Sequence, residues 1–184
     1  MASEKNAHTC VEEMRQVRQA RKFLAQPVAD DLLHEVLEVA RWTGSSRNTQ
    51  PWRLIVVTDR AQLRQIGALR APIAWVADAP LAIAIVLDGD NPTTESYDEG
   101  RLSERVLIAA QLLGLGGGVA WYGDAGQQAQ AKRVLGIPEE RAAHSMIVLG
   151  YPETTKDHRP NPAQGGRMPL TELVSYARLG ERAK

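Results

Sequence analysis

The sequence predicts an α+β fold in which helices flank a central mixed or antiparallel sheet. Amphipathic helical patterns alternate with short apolar strand patterns along most of the chain. Two helices are predicted before the first strand, and residues 150–184 are predicted to form a C-terminal arm. A simple series of parallel βαβ units has neither feature. The length of 184 residues predicts one domain, 1–184, with a flexible tail at residues 1–8.

The first half of the chain carries clear start and stop signals. Thr9 and Glu12 form a capping-box pattern that predicts the start of a helix. The proline at position 51 closes a polar stretch that predicts a loop. In chain order we expect a helix at residues 9–22, a helix at 29–44, a loop at 45–52, a strand at 54–58, a helix at 60–69 and a strand at 81–87.

The second half continues the alternation of helices and strands. Ser96 and Glu99 repeat the capping-box pattern and predict a helix that ends at Gly114. The glycines at 114 and 116–118 do not fit a dinucleotide fingerprint, because they follow a helix and Val119 occupies the third position. They are interpreted as a helix stop and a tight turn. Further elements are predicted as a strand at 119–122, a helix at 124–135, a strand at 145–149 and a short helix or strand at 169–176.

Composition excludes several classes of partner and compartment. The 22 Lys and Arg residues balance 22 Asp and Glu residues, which argues against binding nucleic acid or an anionic membrane through bulk charge. The longest apolar run, residues 81–87, is too short for a membrane span, and residues 1–10 do not resemble a signal peptide. The single cysteine fits a reducing compartment. We therefore expect a cytoplasmic protein.

The familiar sequence signatures of enzyme active sites are missing. The chain has no phosphate-loop motif, no His-Glu-x-x-His pair and no Gly-x-Ser-x-Gly elbow. Its four histidines, at positions 8, 34, 144 and 158, show no metal-ligand spacing. No catalytic side chain and no metal are predicted. Enzymes of this kind often leave the chemistry to a bound cofactor, while the protein supplies binding and orientation.

A group of basic residues follows the first capping box. Arg15, Arg18, Arg21 and Lys22 would lie mostly along one side of a helix over residues 9–22. One interpretation is a solvated basic face. The other is a phosphate-binding clamp, since guanidinium groups match phosphate in geometry.

Four segments, taken in chain order, resemble a known family. They are Met14-Arg15-x-Val17-Arg18-x-Ala20-Arg21-Lys22-Phe23 with Pro27-Val28, Gly44-Ser45-Ser46-Arg47-Asn48-Thr49-Gln50-Pro51-Trp52, Asp98-Glu99-Gly100-Arg101 leading to Gly116, and Leu149-Gly150-Tyr151-Pro152 with a later Arg167-x-Pro169-Leu170. Together they resemble the nitroreductase family of flavin enzymes. The resemblance implies a homodimer that exchanges C-terminal arms and binds FMN at the subunit interface. It also implies NAD(P)H as the hydride donor and a small electron-poor acceptor.

The resemblance also assigns roles to eight residues. Arg18 matches a position that reaches the FMN phosphate and ribityl chain, and Arg21 matches the basic residue near the flavin N1 and O2 edge. Arg167 matches a phosphate contact. Ser45, Ser46 and Asn48 match the loop that the partner subunit places against the flavin. Trp121 and Tyr122 match the segment whose backbone faces the flavin N5 and O4 atoms.

Several of these residues also have a purely structural interpretation. The two serines can cap turns, Asn48 can be a turn residue with positive φ, and the side chains of Trp52 and Trp121 are expected to pack in the core. Positions that depart from the family pattern are Val17, Gln19, Thr43-Gly44 and Gly165. These departures leave open a flavin-binding sensor or carrier without turnover. The zero net charge and the missing acid/base pairs leave open a structural or interaction domain.

Overall fold

The computed structural model describes residues 4–153 and 167–181. The chain divides into two units, Met1–Glu153 and Thr154–Lys184. In the described part of the first unit, four strands form one sheet with the order β1-β2-β4-β3. Their bounds are β1 Trp52–Val57, β2 Leu81–Leu87, β3 Gly116–Trp121 and β4 Ser145–Gly150. All neighbouring strands are antiparallel. The α+β prediction with an antiparallel sheet is therefore confirmed.

Five helices accompany the sheet in the described part of the first unit. They are α1 Glu4–Gln16, α2 Asp30–Arg41, α3 Arg60–Gly67, α4 Pro92–Leu112 and α5 Ala125–Leu135. A 3₁₀ segment, Ala71–Asp78, was not predicted, because a repeat of three residues per turn leaves no 3.6-residue pattern. None of the helices in the described residues has the length and apolar character needed to cross a membrane.

The side chains of β2 alternate between two apolar cores. Ala82, Ala84 and Val86 belong to one core, which includes residues of α3 and α5. Ile83 and Ile85 belong to the other, together with residues of α2 and α4. Helices on both faces of the sheet explain why this strand is apolar throughout.

Two predicted helix starts, those of α1 and α4, are wrong, and those of α2, α3 and α5 are confirmed to within one residue. Helix α1 begins at Glu4, inside the predicted tail, rather than at Thr9. Helix α4 begins at Pro92, because the Asn91 side chain accepts a hydrogen bond from the Thr94 N–H at 3.1 Å and caps the helix before Ser96. Helix α5 has the predicted start, where Asp124 and Gln127 form a capping box.

The first helix also ends earlier than predicted, at Gln16 instead of Lys22. Residues 17–23 run along the open edge of β3, where Gln19 and Gly117 form a parallel bridge. The Ala20 N–H donates to the Gly117 carbonyl at 2.7 Å. The edge of a sheet offers unpaired backbone groups, and these replace the hydrogen bonds of a longer helix. The predicted basic helix face is therefore wrong, because Arg18, Arg21 and Lys22 lie on this extended segment.

The glycine cluster is part of strand β3, which corrects the predicted tight turn. A Cβ atom on Gly116 would lie 2.9 Å from the Ala20 Cβ, and one on Gly118 would lie 2.8 Å from the Ala20 carbonyl oxygen. Gly114 alone acts as the predicted helix stop, with φ of 77°. Gly116 and Gly118 therefore allow residues 17–23 to approach the strand closely, whereas a Cβ on Gly117 would meet Leu107 and Leu149.

The second unit contains one short helix in its described part, α6 Leu170–Leu173. This helix lies within the predicted short element at residues 169–176. Gly165, one of the departures from the family pattern, lies outside the described residues.

Candidate functional site

A cleft of about 620 Å³ opens between α4 and the ends of β3 and β4. Apolar side chains on its wall come from both elements: Leu107 from α4, and Val119 and Trp121 from β3. The other lining residues are Gln19, Ser96, Glu99, Gly100, Ser103, Glu104, Gln128, His144 and Ser145. The volume falls within the range of roughly 300–1,000 Å³ that small-molecule and cofactor sites occupy.

A buried acid and two partners form the polar end of the cleft. Glu99, on α4, is 8% exposed. Its Oε1 accepts a hydrogen bond from the Ser145 hydroxyl at 2.5 Å, and its Oε2 lies 3.0 Å from the His144 Nδ1. Both carboxylate oxygens are thus engaged by residues at the start of β4, which holds the acid and the imidazole in one arrangement.

The acid changes the proton affinity of the imidazole. The hydrogen bond from His144 to Glu99 raises the pKa of His144 above its usual value of 6.5, and burial opposes this shift. Burial also raises the pKa of Tyr122, whose hydroxyl is buried without a hydrogen-bond partner among the described residues. His144 is therefore the group in this cluster that titrates nearest to neutral pH.

The extended segment 17–23 brings two of the predicted cofactor residues beside the cleft. Gln19 lines the cleft, and Arg18 and Arg21 lie close to it in the chain and are exposed. Arg18 Nη1 donates to the carbonyl oxygens of Arg15 and Val17, each at 2.7 Å. The Arg21 guanidinium lies over the Trp75 ring, 6.0 Å from its centroid.

Trp121 and Tyr122, two further predicted cofactor residues, lie at and just after the end of β3, next to the segment 17–23. Trp121 is 53% exposed, so the prediction that its side chain packs in the core is wrong. It lines the cleft, and the Arg70 guanidinium lies 5.3 Å from its ring centroid. The Tyr122 N–H donates to the His144 carbonyl at 2.9 Å. Because pairing alternates along an antiparallel ladder, the Trp121 N–H faces the open edge of the sheet.

The loop of residues 45–50 lies against a different side of α4. Three of its residues, Arg47, Asn48 and Gln50, have positive φ, as was predicted for Asn48. The Ser45 hydroxyl oxygen accepts from the Gln50 N–H at 2.8 Å. Ser46 donates its backbone N–H to Asp98 Oδ2 at 3.0 Å. A left-handed backbone conformation is strained for residues other than glycine. The hydrogen bonds of Ser45 and Ser46 therefore hold the loop in an unfavourable conformation.

The carboxylate that anchors this loop is itself buried. Asp98 is 1% exposed, and its Oδ1 lies 3.4 Å from the Arg101 guanidinium. Asp98 and Glu99 are consecutive residues on α4, yet they contact the loop and the cleft respectively.

The structure brings together some of the predicted residues and separates others. Arg18, Arg21 and Trp121 lie around one edge of β3, whereas Ser45, Ser46 and Asn48 do not line the cleft of the same chain. Trp52 is buried, as expected from the sequence. Arg167 belongs to the second unit and is exposed there.

Sequence reasoning missed the roles of Asp98, Glu99, His144 and Ser145. A signal for the acids was present, because Glu99 lies three and seven residues before Leu102 and Val106, which are buried on α4. Acids that fall on the apolar face of a helix are expected to have buried partners. Nothing comparable marks His144, whose partner is 45 residues away in the chain.

Comparison with known proteins identifies the family. The family model described as "Nitroreductase family" matches residues 14–87. A protein of Archaeoglobus fulgidus, provisionally named an NADH dehydrogenase/NAD(P)H nitroreductase, is 30% identical over 150 residues, 76% of this chain and 83% of that protein. A protein of the same provisional name from Methanothermobacter thermautotrophicus is 32% identical over 141 residues, 73% of each chain.

Solved structures agree in fold. The structure of an FMN-dependent nitroreductase from Clostridium difficile superimposes with a TM-score of 0.80 at 21% identity, covering 91% of this chain and 99% of that one. The two relatives at 30% and 32% identity, together with the family model, show that the chain belongs to the nitroreductase family.

Proposed function

We propose that this protein is an FMN-dependent oxidoreductase that takes hydride from NAD(P)H and passes it to an electron-poor acceptor such as a nitroaromatic or a quinone. The observation that carries the proposal is the cleft of about 620 Å³ beside the segment that bears Arg18 and Arg21, in a chain of this family. The names of the relatives support it, since one refers to NAD(P)H and another to FMN.

The chemistry of the cleft fits a flavin. A tricyclic ring needs apolar contact on its faces, and Leu107, Val119 and Trp121 offer that surface. Polar donors at the rim suit the ring's nitrogen and oxygen atoms, and Gln19 and the Trp121 N–H are placed there. When bound, FMN would accept a hydride at its ring and release it to a second substrate in a ping-pong cycle.

The anionic end of the cofactor needs positive charge. Arg18 and Arg21 are exposed, and neither forms an ion pair with an acid among the described residues. Each charged hydrogen bond to a phosphate contributes about 1.5–3 kcal/mol. Micromolar affinity corresponds to about −8 kcal/mol, which two or three such contacts and ring burial would supply. We assign Arg18 and Arg167 to the phosphate and Arg21 to the N1 and O2 edge of the flavin ring, where negative charge develops on reduction.

A second copy of the chain would complete the site. Ser45, Ser46 and Asn48 do not line the cleft of their own chain, so in our proposal the loop of one subunit covers the flavin of the other. A two-fold homodimer then contains two equivalent sites. The single domain and the exchange of the C-terminal arm, residues 150–184, belong to this proposal.

Titration of purified protein with FMN tests the assignment. We expect saturable quenching of flavin fluorescence, a dimer in size-exclusion chromatography with light scattering, and oxidation of NADH or NADPH when a quinone is added. Flavin binding with no NAD(P)H oxidation would favour a sensor or carrier. A protein that does not bind FMN at any concentration tested would exclude both functions.

A further inference from the structure

The cleft contains a titratable pair that flavin binding alone does not require. His144 Nδ1 lies 3.0 Å from Glu99 Oε2, and 27% of the His144 side chain is exposed. Since Nδ1 is engaged by the carboxylate, Nε2 is the ring nitrogen available to a molecule in the cleft. Within the described residues, Nε2 has no hydrogen-bond partner.

The pair is built to hold a charged imidazole. Glu99 is almost fully buried, and its second oxygen accepts from the Ser145 hydroxyl at 2.5 Å. A carboxylate fixed in this way orients the ring and stabilises its protonated form. An exposed carboxylate on a mobile side chain would do neither.

The neighbouring acidic groups also favour the protonated form of His144. Glu95, also on α4, joins Glu99 in raising the pKa of His144. Glu104 lines the same cleft, and Tyr122, the residue after β3, is a buried phenol whose pKa is raised by burial and by Glu99. Arg141, the basic residue just before His144 in the chain, is paired with Asp88. The groups that face the imidazole are thus acidic or neutral.

We propose that His144 is the proton donor for acceptors whose oxygen must be protonated as they are reduced, with quinones as the defining class. This inference rests on the proposed function. A quinone becomes a quinol by gaining a hydride, which originates from NAD(P)H, and one proton. The Nε2–H bond of His144 breaks as the O–H bond of the quinol forms. NAD(P)H is oxidised, the quinone is reduced, and solvent returns a proton to the imidazole.

Glu99 is a positioning residue in this scheme, since it acts through His144 and does not touch the acceptor. It keeps the proton-donating nitrogen directed away from the carboxylate and favours the protonated state of the imidazole by raising its pKa. Substitution of His144 should therefore remove the proton donor, whereas substitution of Glu99 should shift the pH dependence of the rate.

The decisive experiment compares two electron acceptors in His144→Gln. A quinone needs a proton, whereas ferricyanide takes single electrons and no proton. We expect the variant to lose about 100-fold in rate with the quinone, a typical contribution of a general acid, and to keep its rate with ferricyanide. FMN affinity and the rate of flavin bleaching by NADPH are measured in parallel, so that both acceptor rates are compared in flavin-loaded, reducible protein. His34→Gln, at an exposed histidine on α2, is the matched control.

The outcomes separate this inference from the proposed function. Equal rates of wild type and His144→Gln with both acceptors would overturn the proton-donor role while leaving the oxidoreductase intact. An equal loss with both acceptors would also overturn it, because the side chain would then serve the site's structure. Failure of the wild type to bind FMN would overturn the proposed function itself.

A second measurement does not depend on turnover. Titration of His144 by NMR in the flavin-free protein should give a pKa above 6.5 in the wild type. In Glu99→Gln the pKa should fall, and the alkaline limb of the quinone rate should move to lower pH with it. Ser145→Ala, which keeps the carboxylate, should show a smaller shift in the same direction. A His144 pKa that is identical in all three proteins would contradict the role of Glu99.

Discussion

Helix α4 supports two regions through two consecutive buried acids, and the two regions differ in what the acid binds. Asp98 accepts a hydrogen bond from a backbone amide, the Ser46 N–H, and so fixes the loop of residues 45–50. Glu99 binds two side chains, the imidazole of His144 and the hydroxyl of Ser145. One acid has a partner that never titrates, and the other has a partner that titrates near neutral pH.

This difference teaches that burial of a carboxylate does not by itself identify chemistry. Both acids are almost fully buried on the same helix turn. The loop acid holds a strained backbone in place, while the cleft acid controls a proton. The partner, rather than the depth of burial, distinguishes a structural acid from one with a part in a reaction.

The largest expected effect is on the cleft side, at the arginine assigned to the N1 and O2 edge of the flavin. Arg21→Ala should weaken FMN binding by about 10- to 100-fold, because it removes a charged hydrogen bond worth about 1.5–3 kcal/mol. Fluorescence titration measures this change. Arg64→Ala, at an exposed arginine on α3, is the control. If Arg21→Ala lowers the melting temperature of the flavin-free protein and leaves FMN affinity intact, the residue is structural.

A change that frees the loop of residues 45–50 should weaken FMN binding less than Arg21→Ala does, but should lower the free energy of unfolding more. Asp98→Ala leaves the Ser46 N–H without its acceptor, which lowers the free energy of unfolding by about 1–3 kcal/mol. The freed loop should also weaken FMN binding by roughly 10-fold, and Asp98→Asn should restore part of both losses because its amide oxygen can accept the same bond. Denaturant unfolding and FMN titration measure the two effects, with Asp78→Ala as an exposed control. An FMN affinity equal to that of wild type would separate the loop from the flavin.

Mixing these two variants tests whether loop and cleft come from opposite subunits. In random two-fold dimers of Arg21→Ala and Asp98→Ala chains, about a quarter of the sites combine an intact loop with an intact cleft. NAD(P)H oxidation at limiting FMN should therefore rise above that of either variant alone after the two are unfolded and refolded together. No gain over the two separate variants would argue that both regions act within one chain.

The smallest expected effect is a pH dependence of stability. Because the pKa of His144 is raised in the folded protein, its contribution to stability is complete below pH 6.5 and is lost as the pH rises through the folded-state pKa. Urea unfolding of wild type and His144→Gln at several pH values should give curves that converge on the alkaline side. Parallel curves would show that the pair with Glu99 does not stabilise the imidazolium.

Local sequence signals predicted the fold better than they predicted the site. The apolar strand at residues 81–87 and the helix predicted at residues 124–135 depend on signals within a few residues of each other, and both appear as expected. The early end of α1 depends on the edge of β3, about 100 residues away, so helical spacing alone misplaced Arg18 and Arg21. The pairing of Glu99 with His144 joins residues 45 positions apart. The place of Glu99 on the apolar face of α4 predicts a buried partner, but nothing in the sequence identifies that partner as His144.

The measurement that tests the account most directly is FMN binding with the cleft deliberately filled. Gly100 lines the cleft on α4, and a Cβ atom there would meet no atom within 4 Å, so a large side chain enters open space. We expect wild type to quench FMN fluorescence saturably, and Gly100→Phe to lose this binding with no loss of stability. Gln65→Phe, at an exposed position on α3, should bind like wild type. An affinity of Gly100→Phe for FMN equal to that of wild type would contradict the assignment of the cleft as the flavin site.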